Sequence, residues 1–342
     1  MNVLVTGGAG FIGSCFVRQS VARGDKTIIL DALTYAGHKE NLEDLNCELV
    51  KGDIGDGELV LKLLQENDIE AVINFAAESH VDNSIKSPGQ FITTNINGTY
   101  TMLEASRRYW GGLLEDKKKN FRYVQISTDE VYGDLELNSP EKFNEKTSYK
   151  PSSPYSASKA AGDQLALAWH RTYNFPAIVT NCSNNYGPRQ FPEKLIPNMV
   201  YKAISGKSLP IYGNGENIRD WIHVEDHCNG VYLALTKGQV GQTYCFGGNA
   251  EKSNIDLVNK ICEILDEIKP SQSGKSYKEQ ISFVDDRAGH DLRYAIDDRK
   301  AQSELGFTRN YNLTEGLQST VKWYLNNEQW CKKVSNKISE AA

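Results

Sequence analysis

Asn2-Val3-Leu4-Val5-Thr6-Gly7-Gly8-Ala9-Gly10-Phe11-Ile12-Gly13 opens the chain, joining a run of aliphatic and β-branched residues to a cluster of glycines. The run predicts a buried strand. An amphipathic helix is expected from the glycines to about Arg23, and Lys26-Thr27-Ile28-Ile29-Leu30-Asp31 supplies a second strand. In such a βαβ unit Gly7 permits the tight turn, Gly10 lets the backbone approach a pyrophosphate, Gly13 allows close helix packing, and the helix N-terminus favours phosphate charge. Glycines alone say little. Here strand, glycines, helix, second strand and a terminal acid arrive in order, with Asp31 near the interval of about 20 residues expected for a ribose-binding carboxylate. Asp31 would accept hydrogen bonds from a 2′-hydroxyl but repel a 2′-phosphate, and Ala32-Leu33 brings no arginine. The expected cofactor is NAD rather than NADP.

The alternation continues with Glu48-Leu49-Val50, a helix near 56–67, Ala71-Val72-Ile73-Asn74-Phe75, a long helix from about 90 to 109 and a strand at 121–127. Strands alternating with helices imply a parallel, doubly wound, Rossmann-type α/β sheet. Asp53, beside Ile54, follows the third strand and could meet an adenine edge or simply end a turn before Gly55. Ala76-Ala77 after the fourth strand are small enough for a cofactor to lie close, though small residues there are also common.

Thr128-Asp129-Glu130 follows the strand at 121–127, and in open α/β sheets ligands collect at the carboxyl ends of strands. Of two adjacent acids, one held protonated can donate while the other, ionised, accepts. The plainer alternative is that Asp129 caps a helical turn and Glu130 is solvated. Further on, Tyr155-Ser156-Ala157-Ser158-Lys159 would place a phenol and an ammonium on one helix face. A fixed cation brings a phenol, ordinarily near pKa 10, toward the working range of a general base. The same spacing also describes a surface tyrosine beside a surface lysine.

The chain has 342 residues, expected to fold as one large domain and a smaller one. A formal net charge of −6 offers no basic field for a phosphate backbone, so nucleic acid is not an expected partner. Lys117-Lys118-Lys119 is accounted for as a solvated loop. Seven scattered cysteines without a CxxC pair argue against a disulfide framework or a zinc site and fit a reducing cytoplasm. No metal is expected. Met1 leads straight into the first strand, leaving no room for a secretory leader, and no apolar run approaches a membrane span.

Past Lys159 the helix should run to Tyr173, followed by a strand at Ala177-Ile178-Val179-Thr180. The polar stretch Asn181-Cys182-Ser183-Asn184-Asn185-Tyr186-Gly187-Pro188-Arg189 is too long for a simple connector, which suggests substrate contacts. Leu209-Pro210-Ile211-Tyr212-Gly213-Asn214-Gly215 and Arg219-Asp220-Trp221 mix rigid turns, aromatics and an arginine suited to a diphosphate and a ring, or form an ordinary hairpin. His223-Val224-Glu225-Asp226-His227 has its acids in the wrong places for a metal motif and reads as a helix start. Helices are expected at 254–268, 298–306 and 313–326, with a polar loop from Pro270 to Ser276. The domains so expected are a cofactor-binding unit over 1–180, to which later segments return, a smaller mixed α/β substrate-binding unit over 181–330, and a frayed tail at 331–342.

Gly7-x-x-Gly10-x-x-Gly13 with Tyr155-x-x-x-Lys159 resembles the extended short-chain dehydrogenase/reductase superfamily. Ser127-Thr128-Asp129-Glu130-Val131-Tyr132-Gly133, Ala76-Ala77-Glu78-Ser79-His80-Val81-Asp82, Asn184-Asn185-Tyr186-Gly187-Pro188 and Lys194-Leu195-Ile196-Pro197 resemble, within it, the nucleoside-diphosphate-glucose 4,6-dehydratases, most closely those acting on dTDP-glucose. The resemblance implies catalysis by Tyr155, Lys159, Thr128, Asp129 and Glu130. It implies an NAD site built from Gly7, Gly10, Phe11, Ile12, Gly13, Asp31, Asp53, Ile54, Ala76 and Ala77 with Tyr155 and Lys159. Substrate would be held by Ser79, Thr128, Asn185, Lys194, Leu195, Pro210, Tyr212, Arg219, Asn254, Arg287 and His290, and a homodimer would form through the helices near 90–109 and 155–173. Ala288 stands where the family pattern has proline. Thymine and uracil nucleotides both remain compatible with these residues. A UDP-sugar 4-epimerase would share Tyr155, Lys159 and the glycines but leave Asp129 and Glu130 without a task, and a non-catalytic NAD-binding regulator would need only the βαβ unit.

Overall fold

The computed structural model describes residues 1–286 and 289–341, with 335–341 described as helical backbone only. Its strands are β1 (Asn2–Thr6), β2 (Lys26–Asp31), β3 (Glu48–Lys51), β4 (Ala71–Asn74), β5 (Arg122–Thr128), β6 (Ala177–Cys182), β7 (Asn184–Tyr186), β8 (Leu209–Tyr212), β9 (Ile218–His223), β10 (Thr243–Phe246), β11 (Glu251–Ser253) and β12 (Ile281–Val284). The large sheet runs β3-β2-β1-β4-β5-β6-β10 and every pairing in it is parallel. Strand order reverses between β1 and β4, which opens a crevice at the carboxyl ends of the strands. Both faces are covered. Leu4, Ile28 and Leu30 enter one core, while Val3, Val5 and Ile29 enter the other, because successive strand side chains point to opposite faces.

The helices are α1 (Phe11–Ala22), α2 (Gly57–Glu66), α3 (Val81–Lys86), α4 (Gly89–Phe91), α5 (Thr99–Gly111), α6 (Glu115–Asn120), α7 (Pro154–Tyr173), α8 (Leu195–Ile204), α9 (Val224–Lys237), α10 (Asn254–Ile268), α11 (Leu313–Asn326) and α12 (Glu328–Ala341). α7 starts sharply. Pro154 fixes the first helical φ, and Ser153 and Ser156 close a reciprocal capping box. A third core, including Tyr186, Ile196, Leu209, Trp221, Leu257 and Leu317, holds α8, α10 and α11 against the sheet β11-β9-β7 and the pair β12-β8. β10 comes late in the chain yet pairs with β6 in the large sheet. Among the described residues no helix is long and apolar enough to cross a membrane.

Several local expectations are corrected. Lys117-Lys118-Lys119 is the last turn of helix α6, not a loop, because Glu115 and Asp116 sit in its first turn and the lysines at its end, matching the helix dipole at both termini. The helix expected over 90–109 is a composite. α4 and α5 are joined by a π-helical segment, Ile92–Gly98. The polar stretch 181–189 is partly strand, since Asn184–Tyr186 pairs in parallel with β9. β8 and β9 form no hairpin with each other: β8 pairs with β12 and β9 with β7 and β11. The tail from 331, expected to fray, begins instead with packed residues, because Cys331 and Val334 are buried and Trp330 Nε1 donates to Asn41 Oδ1 at 3.0 Å. His223 does open a helix, as N-cap of α9.

Candidate active site

The glycine turn is shaped by close backbone approach. Gly7 has φ +65°, and a Cβ there would stand 2.7 Å from the Ala76 nitrogen; a Cβ on Gly13 would stand 2.2 Å from the Gly7 carbonyl oxygen. Only glycine satisfies either position. α1 begins at Gly10 with no side-chain cap among the described residues and no acid in its first turn, so its leading N–H groups are left for an anion. Asp31 ends β2 and braces the turn, Oδ2 accepting from the Ala9 nitrogen at 2.9 Å and Oδ1 from Leu33 at 2.8 Å. Burial pushes its carboxyl up, and the two backbone donors oppose that.

One cleft is walled by Gly7, Gly10, Phe11, Ile12, Gly13, Asp31, Asp53, Ile54, Ala76 and Ala77, and further along by Ser79, Thr128, Asp129, Glu130, Tyr155, Lys159, Asn185 and Lys194. A dinucleotide fits this wall. The glycine cradle, the uncapped helix end and the carboxylate of Asp31 stand in the order that pyrophosphate and ribose require. Asp53 also makes the turn that was its plainer reading, Oδ1 accepting from Gly55 at 2.7 Å.

At the inner end, Thr128 closes β5 and caps the short 3₁₀ turn Asp129–Tyr132, its Oγ1 accepting from the Glu130 nitrogen at 3.3 Å. Asp129 is buried, and its Oδ2 has no partner among the described residues. Burial first, then the charges of Glu130 and Asp220, hold its carboxyl well above the usual range, while Arg219 pulls it down. Burial and neighbouring anions of this kind favour the protonated form of a carboxyl. Lys159 Nζ donates to the Ile126 carbonyl at 2.6 Å. Burial, Glu130, Cys182 and Asp129 push the Tyr155 phenol up, against the hydrogen bond from Thr128 that lowers it.

The other expected substrate residues fall in two groups. Lys194 Nζ reaches the Ser79 carbonyl at 3.2 Å, and Asn185 Oδ1 meets His227 Nδ1 at 2.9 Å. Burial lowers His227 to about 3, so the ring is neutral. Leu195, Pro210, Tyr212, Arg219, Asn254 and His290 lie outside the wall of that cleft. Arg219 is buried, donates to the Asp291 carbonyl at 2.9 Å and stacks 4.2 Å from the Tyr294 ring centroid. Its field nevertheless reaches Asp129, which ties this lobe to the inner end of the cleft. Tyr212 and His290 meet ring edge to face at 6.3 Å, and His290 Nδ1 contacts Asp286 Oδ1 at 2.6 Å. Leu195 and Asn254 begin α8 and α10, and Pro210 lies within β8. Arg287 and Ala288 lie outside the described residues.

Sequence reasoning missed Glu78, Gln90, Thr94, Phe191 and Glu193 on the cleft wall. Gln90 and Thr94 share a helix face at i, i+4, and Phe191 and Glu193 immediately precede Lys194; both spacings were readable. No group of histidine, cysteine or acidic side chains among the described residues could hold a metal.

A doubly wound sheet with a glycine cradle at its switch point and a Tyr-x-x-x-Lys helix across the crevice defines an extended short-chain dehydrogenase/reductase. Within that class, the chain belongs to the GDP-mannose 4,6 dehydratase family, whose model matches residues 4–320. It is 53% identical over 335 residues to a dTDP-glucose 4,6-dehydratase of Xanthomonas campestris pv. campestris, covering 97% of this chain and 95% of the relative. The crystal structure of dTDP-glucose 4,6-dehydratase from Bacillus anthracis in complex with NAD superposes with a TM-score of 0.85 at 45% identity, covering 98% of this chain and 99% of that one. A UDP-glucose 4-epimerase from Thermotoga maritima shares the fold at 29% identity and a TM-score of 0.84, covering 96% and 100%.

Proposed function

We propose that this chain is an NAD-dependent dTDP-glucose 4,6-dehydratase, converting the glucose nucleotide to its 4-keto-6-deoxy product with loss of water. The observation that carries the reading is the Asp129-Glu130 pair, placed in the same cleft as Tyr155 and Lys159. NAD, when bound, supplies the acceptor for hydride from C4 and its return to C6. Gly7, Gly10, Phe11, Ile12 and Gly13 would seat the pyrophosphate, Asp31 a ribose, Asp53 and Ile54 the adenine end, and Ala76 and Ala77 the middle of the molecule.

Tyr155 takes the proton of the sugar 4-hydroxyl, Thr128 hydrogen-bonds that oxygen, and Lys159 supplies the positive field. The resulting ketone acidifies C5–H. Glu130 removes that proton while Asp129, kept protonated by burial and by Glu130, protonates the departing 6-hydroxyl. Glu130, after exchange with solvent, then returns a proton to C5, and the 4-hydroxyl proton held by Tyr155 makes good, through solvent, the one Asp129 gave to the departing water. Ser79, Asn185, Lys194 and Leu195 lie on or beside the sugar side of the cleft; Pro210, Tyr212, Asn254 and His290 would hold the nucleoside, with Arg219 and Arg287 toward the diphosphate. The cofactor unit is assigned to 1–180 with later returns and the substrate unit mainly to 181–330. Two copies would pair through α5 and α7, whose surfaces expose Tyr100 and Tyr173.

The test is one incubation with dTDP-glucose deuterated at C4, with UDP-glucose run in parallel. Run in deuterated water, the reaction should give product with the C4 deuterium at C6 and a solvent deuterium at C5, read by NMR and mass spectrometry, with the thymine nucleotide turned over faster. Label restored to C4 would mean an epimerase, and label lost to the cofactor pool an ordinary dehydrogenase; either result overturns the reading.

A further inference from the structure

Asp163 has no part in the chemistry above, yet it is a wholly buried carboxylate one helical turn beyond Lys159 and two beyond Tyr155 on α7. The spacings i, i+4 and i+8 align the three side chains along one side of the helix. Its Oδ2 accepts from Ser127 Oγ at 2.6 Å, Tyr149 Oη at 3.0 Å and Asn181 Nδ2 at 3.3 Å. Its Oδ1 is buried without a partner among the described residues. The donors come from the end of β5, the segment before α7 and the end of β6, so the carboxylate is fixed from three sides. Neutral donors converging on one oxygen favour the ionised form. Such a buried charge calls for a counter-charge, and the cation whose field reaches it is Lys159, itself 5% exposed.

We propose that Asp163 is a positioning residue for the reaction: its buried negative charge keeps Lys159 protonated, so that the ammonium can steady Tyr155 as it gives up and regains a proton. The proposal rests on the reading of Tyr155 and Lys159 given above. Burial drives Lys159 down, against the pull of Asp163, and drives Asp163 up to about 6, against the pull of Lys159. The other ionisable groups around the pair are Tyr149, Tyr132, Cys182 and Cys245, with Tyr155 on the same helix, and burial pushes all of them up. None of these phenols and thiols can carry a positive charge, so none replaces Lys159 as the counter-charge. Lys159 and Asp163 therefore balance each other, and removing one charge shifts the other.

The deciding measurement is the titration of Lys159 in the intact protein by NMR of ¹³C-labelled lysine, its signal assigned with Lys159→Arg. In Asp163→Asn, which keeps the shape and an acceptor oxygen, the Lys159 midpoint should fall by about one pH unit or more. The acid limb of kcat should move to lower pH with KM unchanged, because loss of the anion makes the Tyr155–Lys159 pair easier to deprotonate. An unmoved midpoint, with turnover lowered equally at every pH, would mean that Asp163 merely supports the fold and would overturn the proposal. Tyr149→Phe removes one donor without touching α7 and should move the acid limb the same way by less. If Asp163→Asn does not fold, an unmoved limb in Tyr149→Phe overturns it instead. A moved Lys159 midpoint in an enzyme that fails the C4-to-C6 label test would leave the charge pairing standing and remove only the dehydratase reading.

Discussion

Asp129 and Glu130 are adjacent in sequence but have different surroundings, and the proposed division of tasks follows that difference. Asp129 is 2% exposed with an unpartnered oxygen among the described residues, while Glu130 is only part-buried and its charge helps to keep Asp129 protonated. Replacing Tyr155 and replacing Asp129 should therefore fail at different steps. Tyr155→Phe removes the first base and should lose about 10²–10⁴-fold in turnover, with the isotope effect of C4 deuterium fully expressed. Asp129→Asn leaves that base in place but slows water loss, so the C4 isotope effect on kcat should shrink toward one. Because the acid form of Asp129 is the working one and its pKa is raised, wild-type turnover should decline as alkaline pH ionises it. Asp129→Asn should lack that decline. A large C4 isotope effect in Asp129→Asn would contradict the division of labour.

Among the elements, β1, α1 and β2 are readable because each has one dominant determinant: a continuous apolar run buried on both faces, a glycine turn and a strand ending in an acid. Gly13 tests that reading. Its missing Cβ is the space occupied by the Gly7 carbonyl, a backbone group that cannot rotate away. Gly13→Ala should weaken NAD binding at least tenfold by fluorescence titration and lower the thermal midpoint by several degrees, whereas Gly111→Ala, with open space around it, should do neither. Other elements were hidden for physical reasons. α6 was taken from its lysines rather than from the acids that begin it, and the packed start of α12 was obscured by the polar residues around Trp330, Cys331 and Val334. The buried environment of Asp163 was not readable at all. Its spacing from Lys159 is local, but the three donors that hold it come from segments that meet only in the folded protein.

For the whole molecule, the proposed homodimer makes a definite demand. Ile92, Tyr100 and Tyr173 are 46%, 49% and 44% exposed on the composite helix 89–111 and on α7. Tyr100→Glu combined with Ile92→Lys should shift sedimentation from dimer to monomer, and a pair that stays dimeric would place the interface elsewhere. The large sheet carries a different consequence. After β7, β8 and β9 the chain returns to that sheet through α9 and β10, and it then leaves again for β11, α10 and β12. The two lobes are thus laced together like the sides of a shoe. One proteolytic nick in the exposed turn around Gly274 leaves the other crossings intact, so the pieces stay assembled. By the same lacing, no contiguous fragment can be lifted out as a cassette and traded between relatives, since cutting after β6 would strip the sheet of its edge strand and one of its covering helices.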